Sequence, residues 1–245
     1  KIGETSKNAF VIVVTNPLDI MSYVIFKSSK LPEQKVVGMA GELDRARFCF
    51  FISQHLGVLP SQVNAMVLGG HGDFMVPIID SITVGNLPIS HYISCGKITM
   101  NDIEKIVKRT QLAGGEIVDL SGTSAYYSPA MSAYKMAIAY KNNDSSIIVA
   151  STMCNGEYGI DHFFMGIPVI INNSGVSEKI EIKLTETEKQ IFKIFAIIDI
   201  LPRWEDPIMT VVLLVLFSDA IFRIKRSIPG IIASNPSMLN LFLPI

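Results

Sequence analysis

The sequence predicts an α/β fold that opens on parallel strands and continues as an antiparallel α+β region. Three observations carry this. Short apolar runs rich in β-branched residues alternate with helical stretches over residues 10–68. From residue 76 onward, strand-like runs are separated by Gly85-Asn86, Asn155-Gly156 and Ser174-Gly175, the punctuation of hairpins. Hydrophobic residues make up 49% of the 245, enough to bury a substantial core in one large domain or two small ones.

Residues 10–14 read as a buried strand, ended by Thr15-Asn16-Pro17. Asn16 is a good N-cap and Pro17 suits a first helical turn, so a helix is predicted from there toward Ser28. Residues 36–39 form a second strand, 43–56 a helix stopped by Gly57, and 64–68 a third strand. Strand, helix, strand, helix, strand implies parallel pairing. Residues 76–84 begin the antiparallel part. Residues 101–118 are amphipathic and helical, capped by Asn101 or Thr99, and 128–139 form a helix with Pro129 at its start. Strands follow at 146–153, 167–171 and 179–182. Thr185 and Glu188 have capping-box spacing at the start of a last helix.

The sequence changes character near residue 194. Residues 194–201 and 208–217 are apolar without a helical stripe, and the end carries Pro229, Pro236 and Pro244. The longer run falls short of the roughly 20 residues that cross a bilayer, and Asp219 closes it, so no membrane span is expected. A net charge of −1 offers no basic field for nucleic acid. Cys49, Cys95 and Cys154 are odd in number and widely spaced, fitting neither a disulfide framework nor a zinc motif. A reducing, cytoplasmic compartment is expected, with no metal. The first residues contain no apolar signal core and no initiator Met, so the sequence is expected to begin within a longer protein.

Four residues in the first third could carry chemistry. His71, in Gly69-Gly70-His71-Gly72-Asp73, lies on backbone that can approach a ligand closely, and imidazole exchanges protons near neutral pH. The competing reading is a surface-loop histidine. Asp44 could fix the ring's tautomer and stabilise its cation, or be an ordinary acid in a first helical turn. Arg47, at i+3 from Asp44, shares its helix face; its guanidinium fork could hold a carboxylate, or merely form a surface ion pair. Arg45 should face elsewhere. Asn16 stands at the end of a parallel strand, where open α/β sheets bind ligands, and its amide could donate to a substrate oxygen or simply cap the helix. Together these are the parts that move a proton on a small hydroxy acid. His55, His91 and His162 have no comparable context.

The segments Val13-Val14-Thr15-Asn16-Pro17-Leu18-Asp19, Met39-Ala40-Gly41-Glu42-Leu43-Asp44-Arg45-Ala46-Arg47-Phe48 and Leu68-Gly69-Gly70-His71-Gly72-Asp73, with their spacing, resemble the lactate/malate dehydrogenase family. Ser124-Ala125-Tyr126-Tyr127-Ser128-Pro129-Ala130 and Gly166-Ile167-Pro168-Val169-Ile170-Ile171 extend the match over residues 8–193. Gly70, where lactate dehydrogenases usually carry glutamate, and the Tyr126-Tyr127 pair are similar to malate dehydrogenases of the lactate dehydrogenase-like bacterial type. The resemblance implies NAD-dependent interconversion of malate and oxaloacetate by a homodimer or homotetramer. It implies His71 as proton donor and acceptor, Asp44 as its partner and Arg47 as clamp on the carboxylate beside the reacting carbon. Asn16 would meet substrate and nicotinamide ribose, the Val14 carbonyl the nicotinamide, and Ser124 the substrate side. It also implies that residues 1–38 are the last strands of a Rossmann-type NAD-binding domain and 39–193 an α+β catalytic domain, with 194–245 unassigned.

Two departures shape the expected activity. No Gly-x-Gly-x-x-Gly follows a strand here, no ribose-binding acid can be assigned, and the loop that selects the substrate would lie before Lys1. Residues 194–245 resemble nothing in the family, as a frameshift or read-through would produce. The expectation is therefore an incomplete copy with little activity as it stands, prone to aggregate through exposed strand edges. The alternatives are a lactate dehydrogenase fragment and a non-catalytic product that binds a partner or a membrane.

Overall fold

The computed structural model describes residues 1–72 and 75–198. It runs α1 (Ile2–Thr5), β1 (Val11–Val13), α2 (Leu18–Ser29), β2 (Val36–Gly38), α3 (Gly41–Leu56), β3 (Val63–Gly69), β4 (Met75–Val84), β5 (Leu87–Pro88), α4 (Ile89–Ser94), α5 (Met100–Ser121), α6 (Tyr127–Asn142), β6 (Ser146–Asn155), β7 (Asp161–Asn172), β8 (Gly175–Lys179) and α7 (Glu186–Ile198). One sheet has the order β1-β2-β6-β7-β3-β4-β5, with β8 also paired to β7.

Among the described strands, only β1 and β2 pair in parallel. β2 meets β6 antiparallel at Gly38↔Ser151, and β3 is antiparallel to both β4 and β7. The expected run of parallel strands is therefore corrected after β2. A long hairpin, β6–β7, lies between β2 and β3, so the third strand of the sequence is not the third of the sheet. β7 is longer than expected because it borders three strands. It pairs with β6 along most of its length, with β3 at Gly166, and with β8 over residues 169–172. The predicted strand at 179–182 is displaced to Gly175–Lys179, in register with those last residues of β7.

The hairpin is buried on both faces. Residues 148–154 and 163–169 are buried without interruption, which erases the period-two alternation of a half-exposed strand. Tyr23 and Phe26 of α2 pack their rings against Phe164. A second core joins Phe48 and Ile52 of α3 to Val63 and Val67 of β3, Ile82 of β4 and Ile103 and Ile106 of α5. Ile103, Ile106, Thr110 and Ala113 form the buried stripe of α5, at the 3-4-3 spacing of a helix face.

The helix ends follow local chemistry. Thr99 caps α5 in a reciprocal box with Asp102, which settles the choice against Asn101. Thr185 and Glu188 exchange the expected bonds before α7, and Phe192 packs on Tyr158. Gly57 ends α3 in the left-handed conformation. The predicted Asn16 cap is corrected: the Asn16–Pro17 peptide is cis, Pro17 occupies the N-cap position, and no side chain caps α2. Among the described residues, no helix is long and apolar enough to cross a membrane and no metal-binding cluster occurs. The apolar run at 208–217 and the proline-bearing end lie outside the described residues.

Gly166 has a specific steric role. A Cβ there would come 2.5 Å from the Gly69 carbonyl oxygen, a contact with backbone that cannot swing away. Gly166→Ala is expected to lower stability by about 1–3 kcal/mol through overpacking, read from the midpoint of urea unfolding. An unchanged midpoint would mean that the β3–β7 crossing yields without cost.

Candidate active site

β3 ends at Gly69 (φ 85°), and Gly72 (φ 90°) follows His71, so both turns of the loop use backbone angles that glycine adopts without strain. The loop delivers His71 to the first turns of α3. The imidazole Nδ1 lies 2.9 Å from Asp44 Oδ2. Asp44 is 2% exposed and His71 19%. An ionised carboxylate only accepts, so Nδ1 carries the shared proton and Nε2 is left to exchange one.

One turn along α3, Arg47 Nη1 stands 3.8 Å from Asp44 Oδ1. This is no surface pair, since the two side chains are 14% and 2% exposed. Arg47 Nε and Asp44 Oδ1 are buried without a hydrogen-bond partner among the described residues. α5 passes alongside at Gly114, where a Cβ would sit 3.9 Å from Arg47 Nη1. The guanidinium thus retains unused donor capacity, which suits an incoming carboxylate. Arg45 faces away, as expected, and grips the buried Glu42 through both Nε and Nη2. Burial pushes the Glu42 carboxyl up, but Arg45 and Lys135 outweigh it and hold it below the usual range. Lys135 belongs to α6, so this cluster pins α6 to the start of α3.

A third carboxylate, unmarked in the sequence reading, completes the surroundings of His71. Asp19 of α2 is 3% exposed. Its Oδ2 accepts from the His71 main-chain N–H at 3.2 Å, and its Oδ1 from the Ser151 hydroxyl. Burial pulls the imidazole pKa down. The Asp44 hydrogen bond and charge, with the Asp19 charge, outweigh that pull and the opposition of Arg47, so His71 titrates above its ordinary value of 6.5. The signal available in the sequence was Asp19 in the quoted Asn-Pro-Leu-Asp segment. Its partner Ser151 is 132 residues away, and no local pattern joins them.

Residues 41–198, well over half of the chain, match the model of the lactate/malate dehydrogenase alpha/beta C-terminal domain. The chain belongs to the lactate/malate dehydrogenase family. Residues 1–38 match the NAD binding domain of the same family. Among curated members of this family, the malate dehydrogenase of Ehrlichia canis (strain Jake) is 47% identical over 192 residues, covering 78% of the chain and 61% of that relative. The malate dehydrogenase of Anaplasma marginale (strain St. Maries) has the same identity and coverage. The chain thus spans about three-fifths of the length of these relatives. A solved malate dehydrogenase of Cryptosporidium parvum is 44% identical with a TM-score of 0.78, over 79% of the chain and 62% of that structure. A lactate dehydrogenase of Cryptosporidium parvum, crystallised with lactic acid and NAD, is 41% identical with a TM-score of 0.79, over 86% and 65%.

The structure of this family member brings His71, Asp44 and Arg47 together and adds Asp19. Asn16, exposed, lies three residues before Asp19 and has no side-chain bond among the described residues. Val14, just past β1, is 48% exposed. Ser124 is exposed on the α5–α6 connection, with no hydrogen bond from its side chain to His71, Asp44 or Arg47. Asp73 lies outside the described residues.

Proposed function

We propose that the protein is an NAD-dependent dehydrogenase that interconverts malate and oxaloacetate. The observation that carries this reading is the buried His71–Asp44 pair with Arg47 one turn away. The malate dehydrogenases among its relatives support the choice of substrate. Val14 and Asn16 suit the nicotinamide end of NAD: both are exposed just past β1, where the Val14 carbonyl would meet the nicotinamide and the Asn16 amide has no side-chain bond among the described residues. NAD, when bound, carries the hydride to and from the substrate carbon.

The residues of the chain supply binding and proton transfer. Arg47 pairs with the carboxylate next to the reacting carbon. In oxaloacetate reduction, His71 Nε2 gives its proton to the oxygen developing negative charge, and the ring becomes neutral. In malate oxidation, neutral Nε2 takes the hydroxyl proton, and Asp44 stabilises the imidazolium. Asn16 donates to the substrate oxygen, and Ser124 lies toward the substrate side. Residues 1–38 belong to the nucleotide-binding part and 39–193 to the catalytic part, with 194–245 unassigned. A cytoplasmic homodimer or homotetramer completes the reading; exposed Tyr126, Tyr127, Met131 and Tyr134 at the start of α6 support a protein contact there.

The test is NADH oxidation by the protein as its own cell makes it, with oxaloacetate and with pyruvate. Oxaloacetate is expected to be preferred by about 10²-fold or more in kcat/KM. The reverse preference would establish the lactate dehydrogenase reading, and turnover of neither the non-catalytic one. The same assay has a signed pH dependence. Reduction needs the imidazolium, so kcat/KM falls as pH rises through the raised pKa of His71, and the falling limb lies above 6.5.

A further inference from the structure

A carboxylate in the first turn of a helix ordinarily faces water and complements the helix dipole. Asp19 holds that position in α2 but is turned inward and almost fully buried. Burying a carboxylate is costly unless donors meet it. Two of its donors come from elsewhere in the chain, the His71 main chain and the Ser151 hydroxyl. Ser151 is completely buried in β6, where it pairs with Gly38 of β2 on one side and Gly166 of β7 on the other. Gly166 pairs in turn with Gly69, two residues before His71. The carboxylate thus closes a ring of contacts that runs from α2 through β6, β7 and β3 back to the histidine.

Charge gives the second argument. Among the described residues, the charged groups around the His71 ring are Asp44 and Arg47 from α3 and Asp19 from α2. Arg47 balances Asp44 in formal charge, although the hydrogen-bonded Asp44 acts more strongly on the ring. Asp19 leaves the surroundings with one excess negative charge when the ring is neutral and none when it is protonated. We infer that Asp19 is a positioning residue for His71, holding its main chain in place and supplying the charge that keeps the imidazole ready to carry a proton. This rests on the proposed role of His71 in proton transfer.

Asp19→Asn and Ser151→Ala separate this from a merely structural role. Asparagine can keep its oxygen on the His71 N–H and turn its amide N–H to the Ser151 oxygen, so the bonds survive and the charge does not. In Asp19→Asn, the His71 ring, followed by NMR, is expected to titrate at lower pH than in the parent. The falling limb of oxaloacetate reduction moves with it, for a loss of roughly three- to tenfold in kcat/KM at a pH on the parent's limb. In Ser151→Ala the charge stays and loses a donor, so both the ring titration and the limb move to higher pH. Opposite shifts support the inference. Titrations and limbs that stay at the parent's position in folded variants overturn it, and Ser151→Ala decides alone if Asp19→Asn does not fold. His71→Asn is the control: if it keeps parental activity, the proton-transfer reading fails; if it is inactive while neither variant shifts, only the inference about Asp19 fails.

Discussion

His71→Asn is expected to cut oxaloacetate reduction by about 10²–10⁴-fold, the range that general acid–base catalysis supplies. Asparagine can still donate to Asp44 from its amide, so the partner carboxylate keeps a bond and the loop keeps its anchor. The ring is mostly buried but lies outside the apolar core, and asparagine fills part of its volume. Unfolding midpoint and NADH affinity are therefore expected to stay near the parent's while turnover collapses. Steady-state kinetics with a fluorescence titration of NADH checks both. A variant within tenfold of the parent would assign the proton to another group.

Arg47→Lys is the second large effect. Lysine preserves the charge but replaces a planar fork with a single ammonium, so two parallel bonds to a carboxylate become one. Truncating one side of a desolvated charge pair costs about 2–5 kcal/mol, so kcat/KM for oxaloacetate is expected to fall about 30- to 4,000-fold, mainly through KM. Lysine keeps a positive charge beside the buried Asp44, so the pair is not broken and stability is expected to change by less than about 1 kcal/mol. Kinetics and urea unfolding on the same preparation distinguish the cases. A drop in stability matching the drop in kcat/KM would make Arg47 a structural ion pair, whereas a rise in KM at unchanged stability makes it the substrate clamp.

Much of this site was legible along the chain because its parts are set by local geometry. The i+3 spacing of Asp44 and Arg47 places them on one face of any α-helix, and the residues that start and stop α3 are written beside them. His71 stood out because the glycines at 69, 70 and 72 mark a backbone bend. The capping box at Thr185 is a four-residue pattern and forms, and of the two caps offered for α5 the structure uses Thr99, boxed with Asp102. Asn16 shows where local reading stops: its residue type favours a cap, but Pro17 holds the N-cap position of α2 and the Asn16 amide is unbonded among the described residues.

What the sequence determined by itself is therefore the identity and order of most of the longer helices and strands, though not α1, β5 or α4, and the candidacy of His71, Asp44 and Arg47, because each depends on short-range patterns. The tertiary structure alone decided the rest. It placed the β6–β7 hairpin between β2 and β3, so the sheet is antiparallel where consecutive strands implied parallel pairing. It buried Arg47 and Asp44 together, making what could have been a surface pair a site with spare donor capacity. It also drew Asp19 and Ser151 onto opposite ends of one hydrogen bond across 132 residues. Such pairings depend on the register of strands distant in sequence, and burial sets that register only when the whole sheet has assembled.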